Sequence, residues 1–171
     1  HHAPGHEDER EGLIAAHHLM LAHGTAVPVI RERCAARGTT AQVSITLNPT
    51  QVIGPDDPSE ADLDAVRRAD NVLNGIFFSP LFHGSYPNTM LEDVAHLGAP
   101  TWIHDGDLRT ISAPLDNLVI NNYFPTRVRA GDPGANPTRL AGCEGVEAVA
   151  PQGALTDMGW EQNPAAHRDI L

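Results

Sequence analysis

An α/β fold with parallel strands is what this sequence predicts, on three observations. Two apolar runs of strand character, Ala41–Asn48 and Leu115–Phe124, are separated by helix-period sequence rather than by a tight turn. A long helical stretch precedes the first run, and a helix opening at Asn163-Pro164 follows the second. Strands that alternate with helices imply crossover connections, and so a parallel arrangement. Two strands alone make a poor sheet, so the chain reads as a piece of something larger. The lack of an initiator Met and the well-patterned sequence at both ends carry the same expectation.

From Glu7 to about Gly38 the apolar residues Leu13, Ala16, Met20, Val27, Ile30 and Cys34 fall near one stripe behind an acidic first turn, which predicts a helix. Pro28 removes a backbone donor inside it and predicts a kink one turn back, at Gly24. In Ala41–Asn48 the alternation of Val43, Ile45 and Leu47 is strand periodicity, stopped by Asn48-Pro49. The stretch Asp57-Pro58-Ser59-Glu60 predicts a helix start with Asp57 as cap, and Leu63, Val66, Leu73, Ile76 and Phe77 then form its face to about Phe78. Ser79 to Met90 reads as a loop, with a short helix from Asn88 to near Gly98 and a turn in His104–Ser112. The run Leu115–Phe124 is apolar rather than alternating, as in a strand covered on both faces. Arg129 to Gly153, dominated by Gly, Pro and Ala, reads as a long loop. No internal repeat or low-complexity tract appears.

A chain of 171 residues is long enough for one domain. Its formal charge of -11 repels nucleic-acid phosphates and anionic membrane surfaces and favours a neutral or cationic ligand. No apolar run is expected to reach the roughly 20 residues that cross a bilayer, and the first ten residues do not resemble a secretory signal. A cytoplasmic location follows as an expectation, with Cys34 and Cys143 as free thiols. The histidines at 1, 2, 6, 17, 18 and 23 do not converge with metal-ligand spacing, so no metal or other cofactor is expected. Asp105 and Asp107 flank Gly106 as turn formers rather than as a carboxylate dyad. There is no Gly-rich phosphate loop, Cys/His nucleophile pattern or serine elbow, which argues against phosphoryl transfer and serine hydrolysis.

In parallel α/β folds, ligands bind at the carboxyl ends of the strands. Asn48 ends the first predicted strand, and Asn121, Asn122 and Tyr123 end the second. Amides and a phenol there can exchange hydrogen bonds with a hydroxyl-rich ligand, or can simply cap loops. The residues alone leave both readings open.

The segments HHAPGHEDER, AAHHLMLAHGTAV, VSITLNPTQVIGP, FFSPLFHGSYPNTM, PLDNLVINNYF and DMGWEQNP occur in this order between His1 and Pro164. Together they resemble successive signature segments of the β-glucosidases of glycoside hydrolase family 1, over nearly the whole chain. The resemblance implies a (β/α)8 TIM barrel that hydrolyses terminal β-D-glucosides or β-linked oligosaccharides with retention. It implies that residues 1–171 form a single incomplete segment, a partial barrel running roughly from helix four to helix six. Retention requires two carboxyl groups about 5 to 5.5 Å apart. In the family these lie in an Asn-Glu-Pro motif ending strand four and a Thr-Glu-Asn-Gly-type motif ending strand seven, and neither motif occurs here. The isolated chain is therefore expected to be inactive and marginally folded, needing the rest of the barrel for closure. A barrel remnant that binds sugar without turnover is the alternative.

Carried over by position, the resemblance assigns Tyr123 to support of the absent nucleophile and Asn121 to the sugar. It places His2, Asn48 and Trp160 on the leaving-group side, with the Trp160 indole as a stacking platform. The loop from Ser79 to Pro87 is implied to be architectural. Asp116-Asn117-Leu118-Val119 stands where the family has Asp-Phe-Leu-Gly, and Asn122 where a tyrosine is common.

Overall fold

A computed structural model describes residues 5–132 and 138–170. The chain divides into two compact units, His1–Leu47 with Ile76–Val119 and Asn48–Gly75 with Ile120–Leu171.

The first unit is organised by α1, Glu9–Ala35, whose N-cap Asp8 accepts the Glu11 amide at 2.7 Å. Its buried stripe is Leu13, His17, Met20, Gly24 and Val27, a spacing of four and three that keeps one helical face. This corrects the predicted stripe: Ile30 is exposed, while Ala16 and Cys34 are half-buried. The face shifts because Gly24, lacking a Cβ, lets Thr110 and Ile111 approach the helix backbone directly. The helix stays continuous through Pro28. By length and composition α1 could cross a membrane, which corrects the expectation that no apolar run reaches that length; its buried stripe packs within this unit.

Strands β1 (Ser44–Leu47) and β3 (Asn117–Ile120) form a two-stranded sheet. Asp116 binds them at the start, donating its amide to Val43 O (2.9 Å) and accepting the Val43 amide at Oδ2 (2.7 Å). Along β3 burial alternates, with Asn117 and Val119 exposed, so the prediction of a strand covered on both faces is corrected to one packed face. That face joins Met20, Leu47, Leu81 and Ile111 in a core extended by Ile45, Phe77, Phe78 and Leu118. Helix α3 (Ile76–His83) occupies part of the predicted loop, and α4 (Asn88–Asp93) with a 3-10 turn at Ala95–Leu97 gives the predicted short helix. The predicted turn holds Gly106, at φ +92°, and then a further helix, α5 (Asp107–Ile111).

His17, fully buried, uses both ring nitrogens: Nε2 lies 3.1 Å from Asp107 Oδ2 and Nδ1 2.9 Å from the Tyr86 hydroxyl. A carboxylate only accepts, so Nε2 carries a proton; with a single proton on the ring, Nδ1 accepts from Tyr86. The backbone amide of His104, followed by His17, holds the Asp107 carboxyl below its ordinary range, while burial and Asp107 push the Tyr86 phenol up. Trp102 closes the cluster edge-on to His17, with ring centroids 5.1 Å apart. Replacing His17 with Leu strands the hydroxyl and the carboxylate together, and should cost about 3 kcal/mol against about 1 kcal/mol for Tyr86→Phe. Urea denaturation of the full-length protein measures both.

The second unit carries β2 (Val52–Ile53), β4 (Thr126–Ala130) and β5 (Val146–Ala148) in the order β2-β4-β5. Val52 pairs with Thr126 in parallel, and Arg129 with Glu147 in antiparallel register. Residues 133–137 of the predicted loop Arg129–Gly153 lie outside the described residues, and the rest of it contains the end of β4 and all of β5. Helix α2 (Glu60–Asp70) is capped by Ser59 rather than Asp57: Asp62 N donates to Ser59 Oγ and Ser59 N to Asp62 Oδ2. The other Asp62 oxygen accepts the Ala130 amide at 2.9 Å. Ala65 and Ala69 face Val128, Cys143 and Val146 in the core, while Leu63 is exposed. Small side chains let this helix close on the sheet, and of the predicted face Val66 packs against the same core. A π-helical turn, Asn71–Gly75, and α6, Pro164–Asp169 capped by Asn163 as predicted, complete the elements.

Candidate functional site

In the second unit the segment after Leu47 is held by a chain of short contacts. Asn74 grips Thr50 at both backbone groups, accepting its amide at 3.0 Å and donating to its carbonyl at 2.8 Å. Thr50 Oγ1 donates to Phe124 O at 2.8 Å, and Asn122 Nδ2 to Pro49 O at 2.9 Å. Of the four polar residues that end the predicted strands, Asn122 therefore takes the capping role. No hydrogen bond from a described residue engages the Asn48 or Asn121 side chain, and both residues are exposed. The Tyr123 ring, 57% exposed, follows Asn121 by two residues, with its hydroxyl unpartnered among the described residues.

Trp160 meets Tyr123 with ring centroids 5.5 Å apart and Phe124 with centroids 5.3 Å apart. Tilted rings at these separations attract one another beyond their burial. The indole is carried on a tight loop: Leu155 bridges Glu161, the Thr156 amide donates to Trp160 O at 2.9 Å, and Gly159 turns at φ +76°. Immediately after it, Glu161 is 5% exposed and receives Arg127 through Nε at 2.7 Å and Nη2 at 2.8 Å. The Gln152 amide and Asn163 Nδ2 add two further donors.

Arg127 above all, with those donors, lowers the Glu161 carboxyl from an ordinary 4.5 to about 2. A carboxyl depressed on folding stabilises the fold above its unfolded pKa and loses that contribution as pH falls through the folded value. The Trp160 loop should therefore be unaffected down to about pH 5 and weaken between 4.5 and about 2. Removing the cation in Arg127→Met should move that loss to higher pH, as read by acid titration of tryptophan emission.

The structure brings Tyr123 and Trp160 together, and keeps Asn48 and Asn121 exposed on segments next to tied loops. It joins neither amide to the aromatic pair by a hydrogen bond. His2 lies outside the described residues. Sequence reasoning missed Phe124, Arg127 and Glu161. Adjacency to Tyr123 and Trp160 was a usable signal for Phe124 and Glu161, but Arg127 and Glu161 lie 34 positions apart and only folding pairs them. Among the described residues no group of three His, Cys, Asp or Glu could hold a metal ion.

Alternating helices and strands are the building pattern of a (β/α)8 barrel, of which this chain forms a part. The chain belongs to glycosyl hydrolase family 1, whose family model matches residues 1–171. It is similar to a β-glucosidase of Agrobacterium sp. (39% identity over 97% of this chain and 34% of that protein). A bifunctional β-D-glucosidase/β-D-fucosidase of Bifidobacterium breve is 32% identical over 99% of this chain and 36% of that protein. Among solved structures, the psychrophilic β-glucosidase BglU of Micrococcus antarcticus superposes with a TM-score of 0.85 at 36% identity, covering 99% of this chain and 38% of that one. Virulence factor SghA in complex with its substrate analog salicin gives a TM-score of 0.77 at 34% identity, covering 99% and 35%. The chain thus spans about a third of the length of the curated relatives it matches.

Proposed function

We propose that this chain is the part of a retaining β-glucosidase that runs from the fourth barrel helix to the sixth, and that it supplies one wall of the sugar site. The parent enzyme hydrolyses terminal β-D-glucosides or short β-linked oligosaccharides through a covalent glycosyl-enzyme. The observation that carries this reading is the Tyr123–Trp160 ledge, 5.5 Å between centroids, in a unit whose Asn48 and Asn121 are also exposed. A sugar offers flat apolar C–H faces and a rim of hydroxyls, and aromatic rings with free amides suit both features.

Tyr123 is assigned to hydrogen-bond the nucleophilic carboxylate, which stabilises the charged form and lowers its pKa. Asn121 is assigned to the sugar hydroxyls. Trp160 stacks on the aglycone, with Asn48 and His2 bordering the same side. Both catalytic carboxylates come from other barrel strands, and the barrel closes only with those strands.

The test is hydrolysis of an aryl β-glucoside by the full-length protein. Trp160→Ala should raise KM about fivefold or more, the loss of roughly 1 kcal/mol of stacking, whereas Tyr123→Phe should act mainly on kcat. If the full-length protein binds sugar saturably but never turns it over, the reading fails in favour of a non-catalytic remnant.

A further inference from the structure

We infer that Arg127 and Glu161 are positioning residues for the aglycone platform, a buried clamp that sets Trp160 against Tyr123 and so governs selection between bulky and small leaving groups. The consequence for KM rests on the glucosidase reading; the geometry does not.

The two sides of the aromatic ledge have different supports. Tyr123 and Phe124 lead directly into β4, which begins at Thr126, so the sheet holds them through the chain itself. Trp160 has no such support. Its segment, from Gly153 to Asn163, has no helix and no strand beyond the single Leu155–Glu161 bridge, and residues 151–159 are exposed. The one buried charged side chain of that segment is Glu161, and its partner Arg127 sits on β4, three residues beyond Phe124. Both sides of the ledge are thereby referred to the same strand.

The form of the contact suits positioning. A two-point guanidinium–carboxylate fork fixes direction as well as distance, which a lysine at the same place could not. The remaining carboxylate capacity is filled by the Gln152 amide at 2.9 Å and Asn163 Nδ2 at 3.2 Å, so the group has little freedom to rotate. Both partners are largely out of water, at 15% and 5% side-chain exposure. A pair so placed is a poor general acid, since Glu161 stays ionised at neutral pH. A misplacement of about 1 Å in a substrate-positioning group is enough to change how the substrate is held.

The experiment uses the full-length protein with four variants: Glu161→Gln, Arg127→Lys, Arg127→Met, and the paired Arg127→Met/Glu161→Leu. KM is measured for an aryl and for a methyl β-glucoside. The clamp predicts a five- to tenfold rise in aryl KM for Glu161→Gln and Arg127→Met, less than half that for the methyl glucoside, and an intermediate value for Arg127→Lys. The paired apolar variant removes the unpaired charge and should regain thermal stability while keeping the raised aryl KM. Return of that KM to the wild-type value would overturn the inference, because the pair would then be purely structural. So would equal changes for the two glucosides.

A second readout does not depend on activity. With 5-fluorotryptophan incorporated and the Trp160 resonance assigned by its loss in Trp160→Phe, the clamp predicts one sharp signal that shifts or broadens in folded Glu161→Gln. An unchanged signal would overturn the inference. A full-length protein inactive on every β-glucoside would refute the functional reading, with the fluorine signal still deciding the clamp.

Discussion

Purified by itself, the 171-residue chain will hydrolyse an aryl β-glucoside no faster than buffer does. Two carboxyl groups about 5 to 5.5 Å apart, one protonated and one ionised, are the minimum for retention. The sequence carries neither of the family's glutamate motifs, and the two buried glutamates, Glu161 and Glu147, are each paired with an arginine. Glu161, adjacent to Trp160, is 5% exposed and held near pKa 2 by Arg127, so it can neither reach an anomeric carbon nor deliver a proton at neutral pH. Glu147 is buried against Arg129. Asp169 accepts from Gln51 and Arg168. Tyr123, proposed above to orient the nucleophile, supplies neither of the two carboxyl groups. On the proposed function, the gap between the full-length protein and the isolated chain is at least about six orders of magnitude in rate, the low end of enzymatic acceleration. The measurement is release of the aryl alcohol by repeatedly repurified chain, with the full-length protein alongside. Turnover that follows the chain through purification would mean a carboxylate pair exists within it.

The next largest effect is on stability, at Gly24. A Cβ added there would overlap the carbonyl oxygen of Thr110 and lie 2.6 Å from its carbon and 2.9 Å from Ile111 Cα. All three are backbone atoms of α5, so no rotamer change relieves the clash, and α1 must move away from α5. That movement opens the core where Ile111, fully buried, packs with Met20 and Leu81. Overpacking of this kind costs about 3 kcal/mol or more, and the better helix propensity of alanine returns only about 1 kcal/mol. Gly24→Ala should therefore destabilise by at least 2 kcal/mol on this estimate. Gly12, in the same helix with nothing within 4 Å of an added Cβ, is the control. There the propensity term acts alone and Gly12→Ala should stabilise by about 0.5 to 1 kcal/mol. Urea denaturation of the two full-length variants gives both signs in one experiment, and equal values would disprove the close approach.

Elements with long, strong periodicity could be read in advance. The α1 helix, the β1 and β3 strands, and α6 with its Asn163 cap all lie where the pattern placed them, to within a few residues. The β2 and β5 strands were illegible because they are two and three residues long and flank glycine, and β4 because Arg127 and Arg129 interrupt its apolar pattern. Pairing makes such segments into strands, and pairing is not a local property. Helix faces were legible in part: Leu13, Met20 and Val27 are buried where the stripe placed them and Val66 packs against its core. Periodicity marks which residues are apolar, but the neighbour decides the rest of the face, which is why His17, Gly24, Ala65 and Ala69 also stand at the contacts while Ile30 and Leu63 are exposed.

For the candidate site, position at the ends of the predicted strands singled out Asn48, Asn121 and Tyr123 without deciding between capping and binding, Trp160 came from the resemblance alone, and the ordered segments were enough to place the family. Amides after an apolar run and an indole after Met-Gly are local facts, present in any conformation. Which amide would cap and which would stay free, and that Trp160 would lie against Tyr123 and Phe124, could not be read from order along the chain. Nor could the partnership of Arg127 with Glu161 or of His17 with Tyr86 and Asp107. A buried charge or ring nitrogen must find its complement wherever packing brings one within about 3 Å, and that proximity exists only once the chain has folded.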